Sequence, residues 1–191
     1  MPKETSLTIE QIETILVGYP TSPYYMRQNI VIPNVSWGFL NHEADLLIMN
    51  KTRHLIEIEI KRTWADFMAD FKKEHTHYDK KLSYFYYAVP ESIGQKVFNW
   101  LYVGEYDAQW YFSRSKVLEY TEHNPHKCGL IIYREPDCTR RMSCLTVPAH
   151  AMGDYKATIE EELQLLRLGN MRVWGMKNKL AKYQSEPSLF K

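Results

Sequence analysis

The chain has 191 residues and a formal net charge of +1, from 24 Lys and Arg against 23 Asp and Glu. That length can bury a core without disulfides, and three Cys with no repeating spacing argue against a disulfide framework and for a reducing compartment. A balance so near zero gives no global sign of nucleic-acid binding, which often shows as a strongly basic domain.

The signs are nevertheless unevenly spread. Lys72 to Lys81 and Arg172 to Lys182 are locally basic, so a patch can form on a chain whose acids offset its bases. The opening MPKETSLTIEQIE lacks the apolar segment of a secretory signal, and no stretch approaches the ~20 apolar residues that span a bilayer. The expectation is a cytoplasmic protein with no membrane partner, in a single domain over 1–191.

Thr8 begins a helix, with Gln11 completing a capping box and Ile9, Ile12, Ile15 and Leu16 as its apolar stripe. Gly18-Tyr19-Pro20 ends it. Residues Asn29 to Leu40 are extended but interrupted, because Pro33 cannot donate to a central ladder. A helix is predicted from about Thr63, with Trp64, Phe67, Met68 and Phe71 inward and Asp66, Asp70 and Glu74 largely elsewhere. Ser83 to Pro90 is a buried strand by its aromatic run, and a second helix covers Glu91 to Leu101. Strands follow at Cys128 to Glu135 and Ser143 to Pro148. A long helix runs from Tyr155 to Lys182, with Gly169 and Gly175 weakening its middle. The order predicts an α/β domain: a mixed central sheet flanked by helices, with C-terminal strands and a long helix added.

Between the first extended segment and the second helix lies the most informative stretch, His42 to Lys61, HEADLLIMNKTRHLIEIEIK. It forms two short strands joined by a polar turn. Side chains alternate faces along a strand, so Glu43 and Asp45 share one face, and Glu57, Glu59 and Lys61 share one face of the next. If the turn centres on Thr52, facing residue numbers sum to 104, which sets Asp45 against Glu59. Directly opposed Cβ atoms stand roughly 5 Å apart, close enough for two carboxylates to share a cation. Without a cation so many acids repel one another, and one must take up a proton. Half-exposed hairpins also alternate charge with apolar residues, but Glu is a poor strand former, and two in an Ile-rich strand ask for a reason.

Asp45, thirteen intervening residues, then Glu59-Ile60-Lys61, in a helix-strand-strand-strand-helix-strand order, resembles the PD-(D/E)xK nuclease superfamily. VIPNVSWGFLNHEADLL, IEIEIKRTWADFMADFKKEH, SYFYYAVPE and LLRLGNMRVWGMKNKL look like its MmcB-like branch of DNA-repair nucleases, over about Asn29 to Lys182. The resemblance implies a restriction-endonuclease-like core over about 7–101 with a C-terminal extension over about 128–183. It implies a metal-dependent DNA endonuclease in repair, recombination or phage DNA metabolism, with DNA as partner and a homodimer or a repair or recombination protein beside it. Asp45 and Glu59 would be the metal-binding carboxylates and Lys61 the catalytic lysine. Ala44 stands where the wider pattern has Pro, which leaves the acid in place. Some branches add a Glu from the first helix, a place that Glu10 or Glu13 would fill.

Chemistry supports the same roles. A hard cation supplies counter-charge for phosphodiester hydrolysis. Mg²⁺ or Mn²⁺ accepts oxygen ligands, here the two carboxylates and the Ile60 carbonyl. Lys61 would stabilise charge rather than act purely as a base, because anions beside it raise its pKa. Glu43 and Glu57 are auxiliary ligand candidates. Lys72, His75, Asn34 and Trp37 are candidates for substrate contact, and Asp66 and Asp70 for holding phosphate or buttressing Lys61. His123, His126, Cys128, Cys138 and Cys144 do not match a paired zinc pattern, and small buried cysteines explain them better. Tyr84 to Tyr87 and Trp174 are assigned to the core. Two rivals stand beside the enzyme: a nuclease fold kept for DNA or protein binding, and an interaction protein whose acidic hairpin is only surface.

Overall fold

The computed structural model describes residues 5–35, 38–72, 79–103, 119–134 and 144–185, with side chains in the last segment at 147–182. Its elements in chain order are α1 (Ile9–Val17), β1 (Ile30–Val35), β2 (Ala44–Met49), β3 (Leu55–Ile60), α2 (Trp64–Asp70), β4 (Leu82–Pro90), α3 (Glu91–Leu101), β5 (Tyr102–Val103), β6 (Glu119–Tyr120), β7 (Gly129–Tyr133), β8 (Cys144–Val147) and α4 (Ile159–Ser185). Six strands form one mixed sheet in the order β1-β2-β3-β4-β7-β8. The β3/β4 and β4/β7 pairs are parallel, and the others antiparallel. This is the α/β architecture expected, with the late strands continuing the same sheet and the long helix following them.

Local chemistry explains the ends of the elements. The Thr8 side chain accepts from Gln11 N and the Gln11 side chain accepts from Thr8 N, the reciprocal cap that starts α1. Thr63 caps α2 by accepting from Asp66 N. The β2–β3 turn is tied by Asn50 Oδ1, which accepts from the backbone of Thr52 at 2.9 Å and of His54 at 3.0 Å. Arg53 turns the chain at φ 64. A turn so defined fixes the strand register. Pro33 lies in β1, an edge strand of the sheet, where a missing donor is tolerated.

One face of the sheet packs on α1, through Ile12, Ile15 and Leu16 against Ile56, Ile58 and Ile60. The other face meets α2 and α3 through Phe67, Val97 and Phe98 against Phe85, Val89 and Ile132. Beside them α4 lays Leu165 on Leu47 and Leu55. Gly169 lets that helix approach β1, since a Cβ there would come within 2.8 Å of Ile32 Cδ1.

Several expectations need correction. α4 begins at Ile159, four residues after the predicted start. Thr158 stops the helix from starting earlier: its Oγ1 accepts from Glu161 N while its N–H donates to Glu161 Oε2, a second reciprocal cap. Before that, Tyr155 O accepts from Ser83 Oγ and Ala157 N donates to Arg53 O, so the backbone there bonds outside the helix. Phe71 is exposed and Asp70 is buried, reversing the faces expected at the end of α2. Trp174 is exposed rather than core, because α4 touches the sheet along Leu165, Gly169 and Arg172 and turns Trp174 away. The short β5/β6 pair was not foreseen, since two-residue strands carry no periodicity.

Candidate functional site

The acidic hairpin pairs as the sequence predicted. Leu46 faces Ile58, Leu47 faces Glu57 and Ile48 faces Ile56, each pair summing to 104, and one more step in that register sets Asp45 against Glu59. Beyond the last pair the Asp45 side chain closes the ladder, its Oδ2 accepting from Ile60 N at 2.8 Å. Ile60 therefore points its backbone toward β2, and in an extended residue the carbonyl follows the N–H. Glu59 belongs to the alternate set, which bonds to β4. Relative to β2 it occupies the narrow, non-hydrogen-bonded position, where opposed side chains come closest.

Lys61 follows two residues after Glu59 on the same face. Its Nζ donates to Glu59 Oε1 at 2.8 Å and to Asp70 Oδ1 at 3.0 Å. Tyr87, from the neighbouring strand β4, donates its hydroxyl to Asp70 Oδ2 at 3.0 Å. Lys61 is only 4% exposed. Burial opposes its charge, but Glu59 and Asp70 outweigh burial and the net effect raises its pKa. Lys61 is an ammonium at neutral pH and cannot accept a proton from water.

Glu13 of α1 distinguishes itself from Glu10. Its Oε1 is shielded from solvent with no hydrogen-bond partner among the described residues. Burial, then the negative charges of Glu10 and Asp45, push its pKa up to about 7. Glu10 is exposed, and hydrogen bonding to backbone and to Thr8 holds its carboxyl down. The helix thus turns Glu13, and not Glu10, into the field of Asp45.

The remaining predicted residues are placed less centrally. Glu57 is fully buried and faces His42, whose Nε2 lies 2.7 Å from Glu57 Oε2 and whose Nδ1 lies 2.6 Å from Asn41 Oδ1. As an auxiliary ligand it would have to leave His42. Glu43 is exposed in the loop before β2, and Lys72 is exposed just past α2. Asn34 sits in β1 at φ 52, and its carbonyl accepts from the Arg172 guanidinium of α4. That makes Asn34 an anchor between strand and helix. Trp37, Glu74, His75 and Cys138 lie outside the described residues. Cys128 is a free, buried thiol whose pKa burial raises strongly, and His123 stacks on Trp100.

Sequence reasoning did not single out His42 or Asn41, and it assigned Tyr87 to packing alone. No spacing announces that a loop histidine folds back onto β3, or that a core tyrosine ends on a helix aspartate. The phenol of Tyr87, one of three tyrosines in that strand, was the available hint, since a buried phenol seeks a partner.

Among the described residues no three His, Cys, Asp or Glu side chains stand together closely enough to hold an ion unaided. The donors nonetheless suit a hard cation that keeps most of its water. Mg²⁺ takes oxygen ligands and commonly only one or two carboxylates from the protein, and Asp45 and Glu59, on adjacent strands, would be the ones to supply them. Glu13, whose pKa is raised by burial first and by its negative neighbours second, is the acid a nearby cation would ionise.

The chain matches no family model, and no curated protein matches it. Among solved structures it is similar to a protein of unknown function from Silicibacter pomeroyi, at 13% sequence identity and a TM-score of 0.46, over 87% of this chain and 88% of that one.

Proposed function

We propose that this chain is a divalent-metal-dependent nuclease of PD-(D/E)xK type, hydrolysing phosphodiester bonds of DNA in repair, recombination or phage DNA metabolism. The observation that carries the reading is the 104 register, which brings Asp45 Oδ2 onto Ile60 N beside Glu59, with Lys61 Nζ on Glu59 two residues on. Ion-pair decoration of a surface hairpin does not explain it, because Glu59, Lys61 and Asp70 are all less than a tenth exposed. Burying charges without a task costs several kcal/mol each.

In this reading Asp45 and Glu59 hold Mg²⁺ or Mn²⁺, with the Ile60 carbonyl on the same side and Glu13 as the further acid. A bound cation supplies Lewis-acid stabilisation of the charge that builds on phosphate. Lys61, already an ammonium, contributes positive charge and hydrogen bonds to the developing phosphorane. Asp70, held by Tyr87, positions that lysine. Without a cation the Glu13 carboxyl titrates near neutrality, and a cation beside Asp45 would hold it ionised as a further ligand.

One observation favours a second reading, a nuclease fold retained for binding. Both carboxylate contacts of Lys61 are internal and its amine is nearly buried. A substrate would have to draw it from Asp70, and a chain that never cuts needs no such release.

Cleavage of labelled single-stranded, duplex and branched DNA, with Mg²⁺, Mn²⁺ or chelator, separates the two. The nuclease reading expects metal-dependent cutting that Lys61→Ala and Asp45→Asn both abolish while circular dichroism shows them folded. DNA binding without cutting on any substrate supports the binding module. Cutting that survives both substitutions refutes the site.

A further inference from the structure

We infer that α4 is a self-association surface, on which a second copy of this chain docks its own α4 in the antiparallel sense. The helix turns Leu165, Gly169 and Arg172 toward the sheet and carries a second apolar stripe that nothing among the described residues covers. Ile159, Leu166, Val173 and Leu180 recur at seven-residue intervals, with Leu163 and Trp174 alongside, and each is 45% to 63% exposed. A seven-residue apolar repeat tracks one helix face and suits a helical partner. Apolar residues scattered singly over a surface would need no explanation, but this aligned series does.

The charges on the helix point to the occupant. Its first turn holds Glu160, Glu161 and Glu162, and its far end holds Lys177, Lys179 and Lys182. An antiparallel second copy sets each acidic end against a basic end, whereas a parallel copy would set acid on acid and base on base. The stripe is also symmetric in chemistry about Gly169 and Asn170: Ile159 mirrors Leu180, Leu166 mirrors Val173, and Glu160 mirrors Lys179. A two-fold interface requires this, since a residue that meets its mirror on the partner is met by it in turn.

Sedimentation velocity on the full chain tests the surface, because the dimer has twice the 22.7 kDa chain mass. The wild type should dimerise as concentration rises. Leu166→Glu should weaken the dimer by about thirtyfold or more, the scale of a lost central anchor, with far-UV circular dichroism unchanged at so exposed a position. Charge reversal tests the sense of pairing and leaves every apolar residue of the stripe in place. Glu160→Lys with Glu162→Lys should weaken association, as should Lys177→Glu with Lys179→Glu, and all four together should restore it. A wild type that stays monomeric at every concentration overturns the inference. So does a dimer indifferent to Leu166→Glu, or a fourfold variant as weak as its halves.

Discussion

Replacing Lys61 with Met removes one cation from between two buried acids, and the cost can be worked from the site. The Lys61, Glu59 and Asp70 side chains are 5%, 7% and 0% exposed, with the amine 2.8 and 3.0 Å from its partners. Stranding a buried charge by deleting its partner costs about 3–5 kcal/mol. Protonation caps that penalty: neutralising a carboxyl of ordinary pKa at about pH 7.5 costs roughly 4 kcal/mol, at about 1.4 kcal/mol per pH unit. The loss should therefore be about 3–4 kcal/mol at about pH 7.5 and about 2 kcal/mol smaller at about pH 5.5, where Glu59 and Asp70 escape by taking up protons. Urea unfolding of both proteins at the two pH values measures it. The sign for the native lysine runs the opposite way on the scale. Its raised pKa gives stability that is complete below the ordinary lysine value of 10.5 and is lost only as pH climbs through the higher folded value. A loss under ~1 kcal/mol, or one that does not change with pH, would refute a charge-stabilised triad.

Glu13 provides a second test through its pKa of about 7. An acid raised by folding binds a proton that the unfolded chain has released, so stability should fall as pH rises from 4.5 through 7, and Glu13→Gln should remove about 1–2 kcal/mol of that slope. Its carboxyl resonance should titrate near neutrality, and saturating Mg²⁺ should move the midpoint down if the cation sits beside Asp45. An unmoved midpoint argues against that placement. Tyr87→Phe takes a 3.0 Å donor from Asp70 and should cost about 1–2 kcal/mol in urea unfolding; no change would mean that Asp70 does not depend on the phenol. Gly129→Ala should destabilise by about 1–3 kcal/mol, because its Cβ would lie 2.2 Å from Tyr86 Cε1 and 2.7 Å from Ala149 N. A thermal midpoint equal to that of wild type would contradict that packing.

The acidic hairpin was the most legible part of the chain because two local signals agree there. Alternation chose the faces, and the Asn50-to-His54 turn chose the register. The buried surroundings were harder to read. Asp70 was placed off the apolar face because helical periodicity sorts residues by hydropathy alone. It is buried because Lys61 and a phenol from β4 both reach it; Asp70 stood among the expected buttresses of Lys61, but the Tyr87 contact spans 17 residues with no repeat to reveal it. Trp174 failed in the opposite direction. A large aromatic on a helix is ordinarily core, but a helix that docks through a glycine and an arginine leaves its tryptophan outside. The start of α4 was misjudged because Tyr155 to Ala157 suit a helix by propensity while hydrogen bonds from the Ser83 hydroxyl and to the Arg53 carbonyl hold them outside it.

The ends of β1 bear on a hazard that every open sheet faces. An edge strand presents unpaired backbone groups that can recruit a stray strand and seed aggregation. β1 is such an edge, and three features of its sequence blunt it. Pro33 has no N–H to offer, Asn34 breaks the extended line at φ 52, and the Asn34 carbonyl is already taken by Arg172. The contact that fastens α4 to the sheet thus also stops β1 from acting as a template.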